Sequence, residues 1–119
     1  MSLSISGKAS VIIPVYNDKN NLKVCLEIIK PIAVRHNWDV IVVDDASTDG
    51  STQDWDEKNV RLVKLGKNKG VANARNTGAE LSNNEIIVFV DSDILPHKDC
   101  LENLVYFLLE RNDIHSAGA

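Results

Sequence analysis

The chain has 119 residues, enough for one domain with one core but small for a complete enzyme that holds two substrates. Hydrophobic residues make up 44% and charged residues 25%, the balance of an ordinary globular protein. The formal net charge of −4 excludes whole-surface affinity for nucleic acid, because holding a phosphate backbone needs a basic footprint. A single local site for a phosphorylated ligand, helped by a metal, stays open.

Residues 9–16 (ASVIIPVY) form a continuous apolar run and read as a buried strand. Over residues 20–33, Leu22, Cys25, Leu26, Ile29 and Ala33 recur at three and four, which predicts an amphipathic helix that Pro31 kinks or ends. Residues 40–43 are a second buried strand with Asp39 and Asp44 at its edges. The cluster at 47–52 (STDGST) predicts a cap leading into a short helix that contains Trp55. Residues 60–65 (VRLVKL) partly alternate and read as a third strand nearer an edge. A small-residue helix is expected over 70–81, a fourth buried strand over 85–90 (EIIVFV), and a last helix over 99–111 with Leu101, Leu104, Val105 and Leu108 on one face.

Four alternations of strand and helix predict an α/β fold, Rossmann-like, with three α/β/α layers and a mainly parallel sheet. The whole chain, 1–119, reads as one domain, with loose ends at 1–8 and 114–119. Cys25 and Cys100 match no zinc spacing, and Cys25 reads as a buried thiol on its helix. The first residues lack the basic start and apolar run of a secretory signal, and the longest apolar stretches are strand-sized, against about 20 residues for a membrane helix. The expected location is the cytoplasm, either free or peripheral to the inner face of the membrane.

In open parallel sheets ligands sit outside the carboxyl ends of the strands. Those ends read Pro14-Val15-Tyr16-Asn17, Asp44-Asp45, Gly66-Lys67-Asn68-Lys69-Gly70 and Asp91-Ser92-Asp93. Asp91 and Asp93, at i and i+2 on extended chain, point the same way. Two adjacent carboxylates repel each other and any diphosphate, and Mg2+ or Mn2+, with its taste for carboxylate and phosphate oxygens, relieves both. The bland reading is a solvated turn. Of Asp44 and Asp45, one caps the 47–52 turn while the other faces a base or ribose, or else both cap. Tyr16 either packs against a base or belongs to the core. Arg75 and Lys69 either contact phosphate or are surface charges. Neither Gly-rich phosphate-loop pattern is present.

Together SVIIPVYN (10–17), VIVVDDASTDGS (40–51), NKGVANARNTG (68–78) and VFVDSDILP (88–96) resemble, in order and spacing, the family 2 glycosyltransferases, which have the GT-A fold. The resemblance spans residue 9 to about residue 110. It implies inverting transfer of a sugar from a nucleoside diphosphate sugar, most commonly a UDP-sugar, to a carbohydrate or lipid-linked acceptor, with no nucleic-acid partner. It places Pro14, Tyr16 and Asp45 in the nucleoside pocket with Asp45 on the base, Arg75 close to the nucleotide, Asp91 on the ribose or sugar side and beside the metal, and Asp93 as the nearest metal ligand. It also implies that the catalytic base belongs to a second half of the protein. His97, Asp99 and Glu102 do not match that base, so a fragment is expected, along with self-association through a bared edge. Two other folds use acidic pairs, the haloacid-dehalogenase phosphatases and the receiver domains. Both place them after the first strand, whereas here they follow the second and the fourth. A nucleotide-binding module without turnover is the remaining alternative for this chain.

Overall fold

The computed structural model describes residues 4–94 and 99–110. Its elements run β1 (Ala9–Val15), α1 (Lys19–His36), β2 (Asp39–Asp44), β3 (Val60–Lys64), α2 (Val71–Leu81), β4 (Ile86–Phe89) and α3 (Cys100–Glu110). The strands form one sheet in the order β3-β2-β1-β4, and every pairing is parallel. β1 lies in the middle with all of its residues buried. Burial on both faces is why β1 and β2 read as unbroken apolar runs rather than as alternation.

The two faces carry different cores. On one, Val11, Ile13 and Val15 of β1 meet Leu22, Leu26 and Ile29 of α1 and Leu101, Val105 and Leu108 of α3. On the other, Ile12, Ile41 and Val43 meet Ala74 of α2. The three-layer α/β/α fold expected from the sequence is the fold observed. α2 can lie this close because Gly78 has no side chain: an added Cβ would fall inside contact distance of Ile12 Cγ2. β3 is an edge strand, as its mixed pattern indicated.

Three expectations are corrected. Pro31 does not end α1, which runs on to His36 and stops at Asn37, a left-handed residue whose N–H caps the carbonyls of Ala33 and Val34. Ile32 and Ala33 are buried in the core, and that packing outweighs the one backbone bond the proline removes. No helix follows residues 47–52, so strand and helix do not alternate between β2 and β3. Gly50 (φ 80°) and Asp54 (φ 52°) interrupt any helical run, and Trp55 simply packs against the core from a turn. Finally, the start of the chain is tied down from residue 5. Ile5 is buried, Trp38 Nε1 donates to its carbonyl at 2.8 Å, and Gly7 N–H donates to His36 O at 2.8 Å. Residues 1–3 and 111–119, including the expected loose tail, lie outside the described residues, as does His97. Among the described residues no helix is long and apolar enough to cross a membrane.

Candidate functional site

The strand order reverses at one place. β2 and β3 lie to one side of β1, and α2 then carries the chain back over the sheet to β4 on the other side. Such a switch point leaves a crevice at the carboxyl ends of the two strands that flank it, here β1 and β4.

Pro14 opens that crevice. Val90 N–H donates to Ile12 O at 3.0 Å, and β1 pairs with β4 only as far as Ile12 with Phe89. The next bond of a parallel ladder would run from the N–H of residue 14 to Val90. Proline has no N–H, so the ladder stops and the strands part. On its other side β1 stays bonded to β2, up to Asp45 N–H on Val15 O at 2.9 Å. Tyr16 follows with its side chain exposed (48%), so it belongs to the rim and not to the core.

Asn17 sits in the left-handed region (φ 50°), which Asn tolerates better than most residues. Its Oδ1 accepts Thr48 N–H at 2.7 Å and Asp49 N–H at 3.2 Å, while its own N–H donates to Ser47 Oγ at 2.9 Å. Asp18 N–H donates to Ser51 Oγ at 3.2 Å. The β1–α1 loop and the loop after β2 are therefore laced together. The Ser/Thr/Asp cluster that reads as a helix cap serves this lacing instead.

Asp44 and Asp45 are both buried, at 4% and 3% exposure. Asp44 holds the turn after it, accepting Ser47 N–H at 2.9 Å and the Thr52 hydroxyl. Asp45 reaches across to the start of α2, accepting Lys69 N–H at 2.9 Å on one oxygen and Gly70 N–H at 2.9 Å on the other. Each Asp45 oxygen keeps a further lone pair for a ligand. Gly70 is needed there because its φ is 98°.

One turn into α2, Arg75 Nη2 pairs with Asp91 Oδ1 at 2.8 Å. Both side chains remain more than a third exposed, so the contact sets direction more than stability. Arg75 Nε is buried with no hydrogen-bond partner among the described residues. Ser92, between the two aspartates, is buried, and its hydroxyl donates to Asp18 Oδ2 at 2.7 Å. The triplet is not the extended chain expected from sequence: Ile94 N–H donates to Asp91 O at 3.0 Å, which folds 91–94 into a tight turn with Ser92 and Asp93 at its centre. Asp93 is exposed and its carboxylate has no partner among the described residues. Asn17, Asp18 and Ser92 went unassigned from sequence. The left-handed preference of Asn and the cap preference of Asp were the only signals available.

The donor set suits a small hard cation. Asp93 offers a whole carboxylate, and Asp91 has one oxygen not used by Arg75. No group of three or more His, Cys, Asp or Glu side chains is placed to hold a metal among the described residues. Mg2+ or Mn2+ held by one or two carboxylates plus phosphate oxygens and waters needs no such cage. Glu102 lies elsewhere, with Oε2 at 2.8 Å from His36 Nε2 and Oε1 at 3.7 Å from Arg35.

The model of the family described as "Glycosyl transferase family 2" matches residues 10–118. Among curated proteins, the putative teichuronic acid biosynthesis glycosyltransferase TuaG of Bacillus subtilis is 34% identical over 87% of this chain and 42% of its own length. The poly(ribitol-phosphate) beta-N-acetylglucosaminyltransferase TarP of Staphylococcus aureus is 35% identical over 88% of this chain and 34% of its own length. Among solved structures, the mannosyltransferase PcManGT from Pyrobaculum calidifontis, in complex with GDP-Man and Mn2+, superposes with a TM-score of 0.75 at 33% identity, over 87% of this chain and 32% of that one. S. aureus TarS 1–349 in complex with UDP-GlcNAc does so with a TM-score of 0.70 at 30% identity, over 88% of this chain and 32% of that one. This chain thus spans well under half the length of these relatives.

Proposed function

Because the chain belongs to glycosyl transferase family 2, we propose that it is the donor-binding part of a glycosyltransferase, taking a nucleoside diphosphate sugar and a divalent cation at the β1–β4 crevice. The observation that supports this is the end of the β1–β4 pairing at Pro14, next to the exposed Tyr16, together with an exposed Asp93 carboxylate that has no partner among the described residues. Tyr16 supplies an aromatic face for a base, and Asp45, with its remaining lone pairs, accepts from base N–H groups. Arg75 donates toward diphosphate oxygens while its bond to Asp91 keeps that carboxylate aimed at the ribose or sugar. Asp93, with Asp91 beside it, would hold Mn2+ or Mg2+, which when bound stabilises charge on the departing diphosphate.

Inverting transfer also needs a base to take the proton of the acceptor hydroxyl. No carboxylate gathered at this crevice among the described residues is assigned to that task. The proposal for the 119-residue chain is therefore binding with little turnover, the base and the acceptor contacts coming from outside the residues described. An acceptor that is carbohydrate or lipid-linked, a role in cell-surface polysaccharide synthesis and a cytoplasmic, membrane-peripheral location belong to the same proposal. So does a homodimer. The polysaccharide role draws support from relatives named for teichuronic acid biosynthesis and for N-acetylglucosaminyl transfer to poly(ribitol-phosphate).

Calorimetry with UDP, UDP-GlcNAc and GDP-Man, with and without Mn2+, tests the reading. Binding that strengthens with Mn2+ in at least one case is expected, and Asp93→Ala removes the metal-dependent part while the fold persists. Unchanged affinity of Asp93→Ala in Mn2+ rules Asp93 out as the ligand. Sugar transfer by the chain alone at an enzyme-like rate overturns the division of labour.

A further inference from the structure

Asp18 occupies the N-cap position of α1, where Asp is among the preferred residues because its carboxylate accepts the free N–H groups of the first turn. Here it makes no side-chain cap bond at all. One oxygen accepts Asn21 Nδ2 at 2.9 Å, and the other accepts the Ser92 hydroxyl at 2.7 Å, 74 residues along the chain. The first turn of α1 gets its help elsewhere, with Lys19 N–H on Asp49 Oδ2 at 3.3 Å. A residue suited to stabilising its own helix is thus turned toward the turn after β4.

Among the described residues the side chains of that turn have few other anchors. Among the same residues the Asp93 carboxylate has no partner, and the Asp91 carboxylate is held at its exposed Arg75 contact alone. Ser92 is the buried member of the triplet. Ser92 and Asp93 are the two central residues of the turn that Ile94 N–H closes on Asp91 O. Fixing the Ser92 hydroxyl therefore fixes the turn that carries both the Asp91 and the Asp93 carboxylate. The same β1–α1 loop is laced to the loop after β2 through Asn17 and Asp18 N–H. One short segment thereby holds both lips of the crevice in register.

We propose that Asp18 and Ser92 are positioning residues: their mutual hydrogen bond sets the aim of the Asp91–Asp93 carboxylate pair and so the affinity of the crevice for a divalent cation with a nucleoside diphosphate. This rests on the donor-site reading above for its ligand, though the anchoring itself is testable without any ligand.

The experiment uses the whole chain and four variants: Ser92→Ala, Asp18→Ala, their double mutant, and the gentler Asp18→Asn in case the alanine at the cap unfolds the helix. Amide hydrogen exchange of the free proteins is read first. Residues 91–94 are expected to exchange about tenfold faster in Ser92→Ala and in the Asp18 variants, with β1 and β2 unchanged. Calorimetry with Mn2+ and UDP, and again with Mn2+ and GDP, follows. A loss of about tenfold in Mn2+-dependent affinity is expected for each single variant, as for other groups that orient metal ligands. Metal-free nucleotide affinity stays put, and the double mutant is no worse than the weaker single one. A merely structural bond would lower the melting temperature and leave the affinity of the folded fraction alone, and that result overturns the proposal. So does unchanged exchange at 91–94. If the wild-type chain binds neither nucleotide in Mn2+ while Asp18 and Ser92 variants still loosen 91–94, the donor-site reading falls and the anchoring stands alone without its proposed purpose.

Discussion

Asp44 and Asp45 end β2, Asp91 and Asp93 follow β4, and the two pairs use their oxygens differently. Asp44 and Asp45 are buried, and all four of their oxygens accept bonds from the chain itself, at Ser47, Thr52, Lys69 and Gly70. Asp91 engages one oxygen with Arg75, and Asp93 engages none among the described residues. The first pair builds the frame on which the crevice stands, and of the two Asp45 alone is also proposed to meet a base, with the lone pairs its bonds to Lys69 and Gly70 leave over. The second pair is left facing outward. Adjacent acidic letters in a sequence therefore carry no fixed meaning, and only the partners that reach them divide scaffold from ligand-facing groups.

The largest expected effect tests that division directly. Asp44→Ala removes two bonds and leaves the buried Thr52 hydroxyl and the Ser47 N–H without their acceptor. A loss of about 2–4 kcal/mol in urea unfolding is expected. Asp93→Ala, with no partner to orphan among the described residues, is expected to stay within about 0.5 kcal/mol of wild type. Equal losses in the two variants would erase the contrast between frame and open side.

A smaller effect asks how far the open side depends on packing beneath it. Gly78 lets α2 press against Ile12, and Arg75 lies one turn earlier on the same helix, paired with Asp91. Gly78→Ala gains about 1 kcal/mol of helix propensity. It loses about 1–3 kcal/mol to overpacking, because Ile12 is buried in a strand that has strands on both sides. A net loss in stability is expected, together with weaker Mn2+-dependent nucleotide binding as Arg75 is lifted from Asp91. A variant that is both more stable and undiminished in binding would show that α2 can back away at no cost.

The fold was legible where one physical cause dominates. Runs such as 9–16 and 40–43 are apolar without alternation because they are buried on both faces, and that marks parallel strands. The 47–52 cluster was misread because Ser, Thr and Asp before a turn look the same whether they cap a helix or lace two loops. The end of α1 was placed too early at Pro31 because a local rule met a helix held by six buried side chains. The residues proposed to face a ligand were legible in two ways: Tyr16, Asp91 and Asp93 from their places after strand ends, and Arg75, on α2, singled out only by the family resemblance. Their supports were not: Ser92 finds Asp18 across 74 residues, and Asp45 finds Gly70 across 25. No periodicity or spacing encodes such pairs.

The smallest effect concerns a carboxylate on the framed side that is nonetheless on the surface. Asp49 accepts from the Ser51 hydroxyl and N–H and from Lys19 N–H. The Ser51 hydroxyl first, and then those backbone donors, hold its carboxyl below the ordinary 3.8 against a smaller opposing effect of desolvation. Because the folded value is depressed, the tie between this loop and the start of α1 is fully present above 3.8 and is lost as pH falls through the folded value. NMR titration of the Asp49 side chain should give a midpoint below 3.8 in wild type and one closer to 3.8 in Ser51→Ala. Fluorescence of Trp55, in the turn beyond Ser51, should begin to change only below that range. A wild-type midpoint at the ordinary value, or one indifferent to Ser51→Ala, would show that the lacing of the loop after β2 is looser than its hydrogen bonds indicate, and the frame would then rest on Asp44, Asp45 and Asn17 without it.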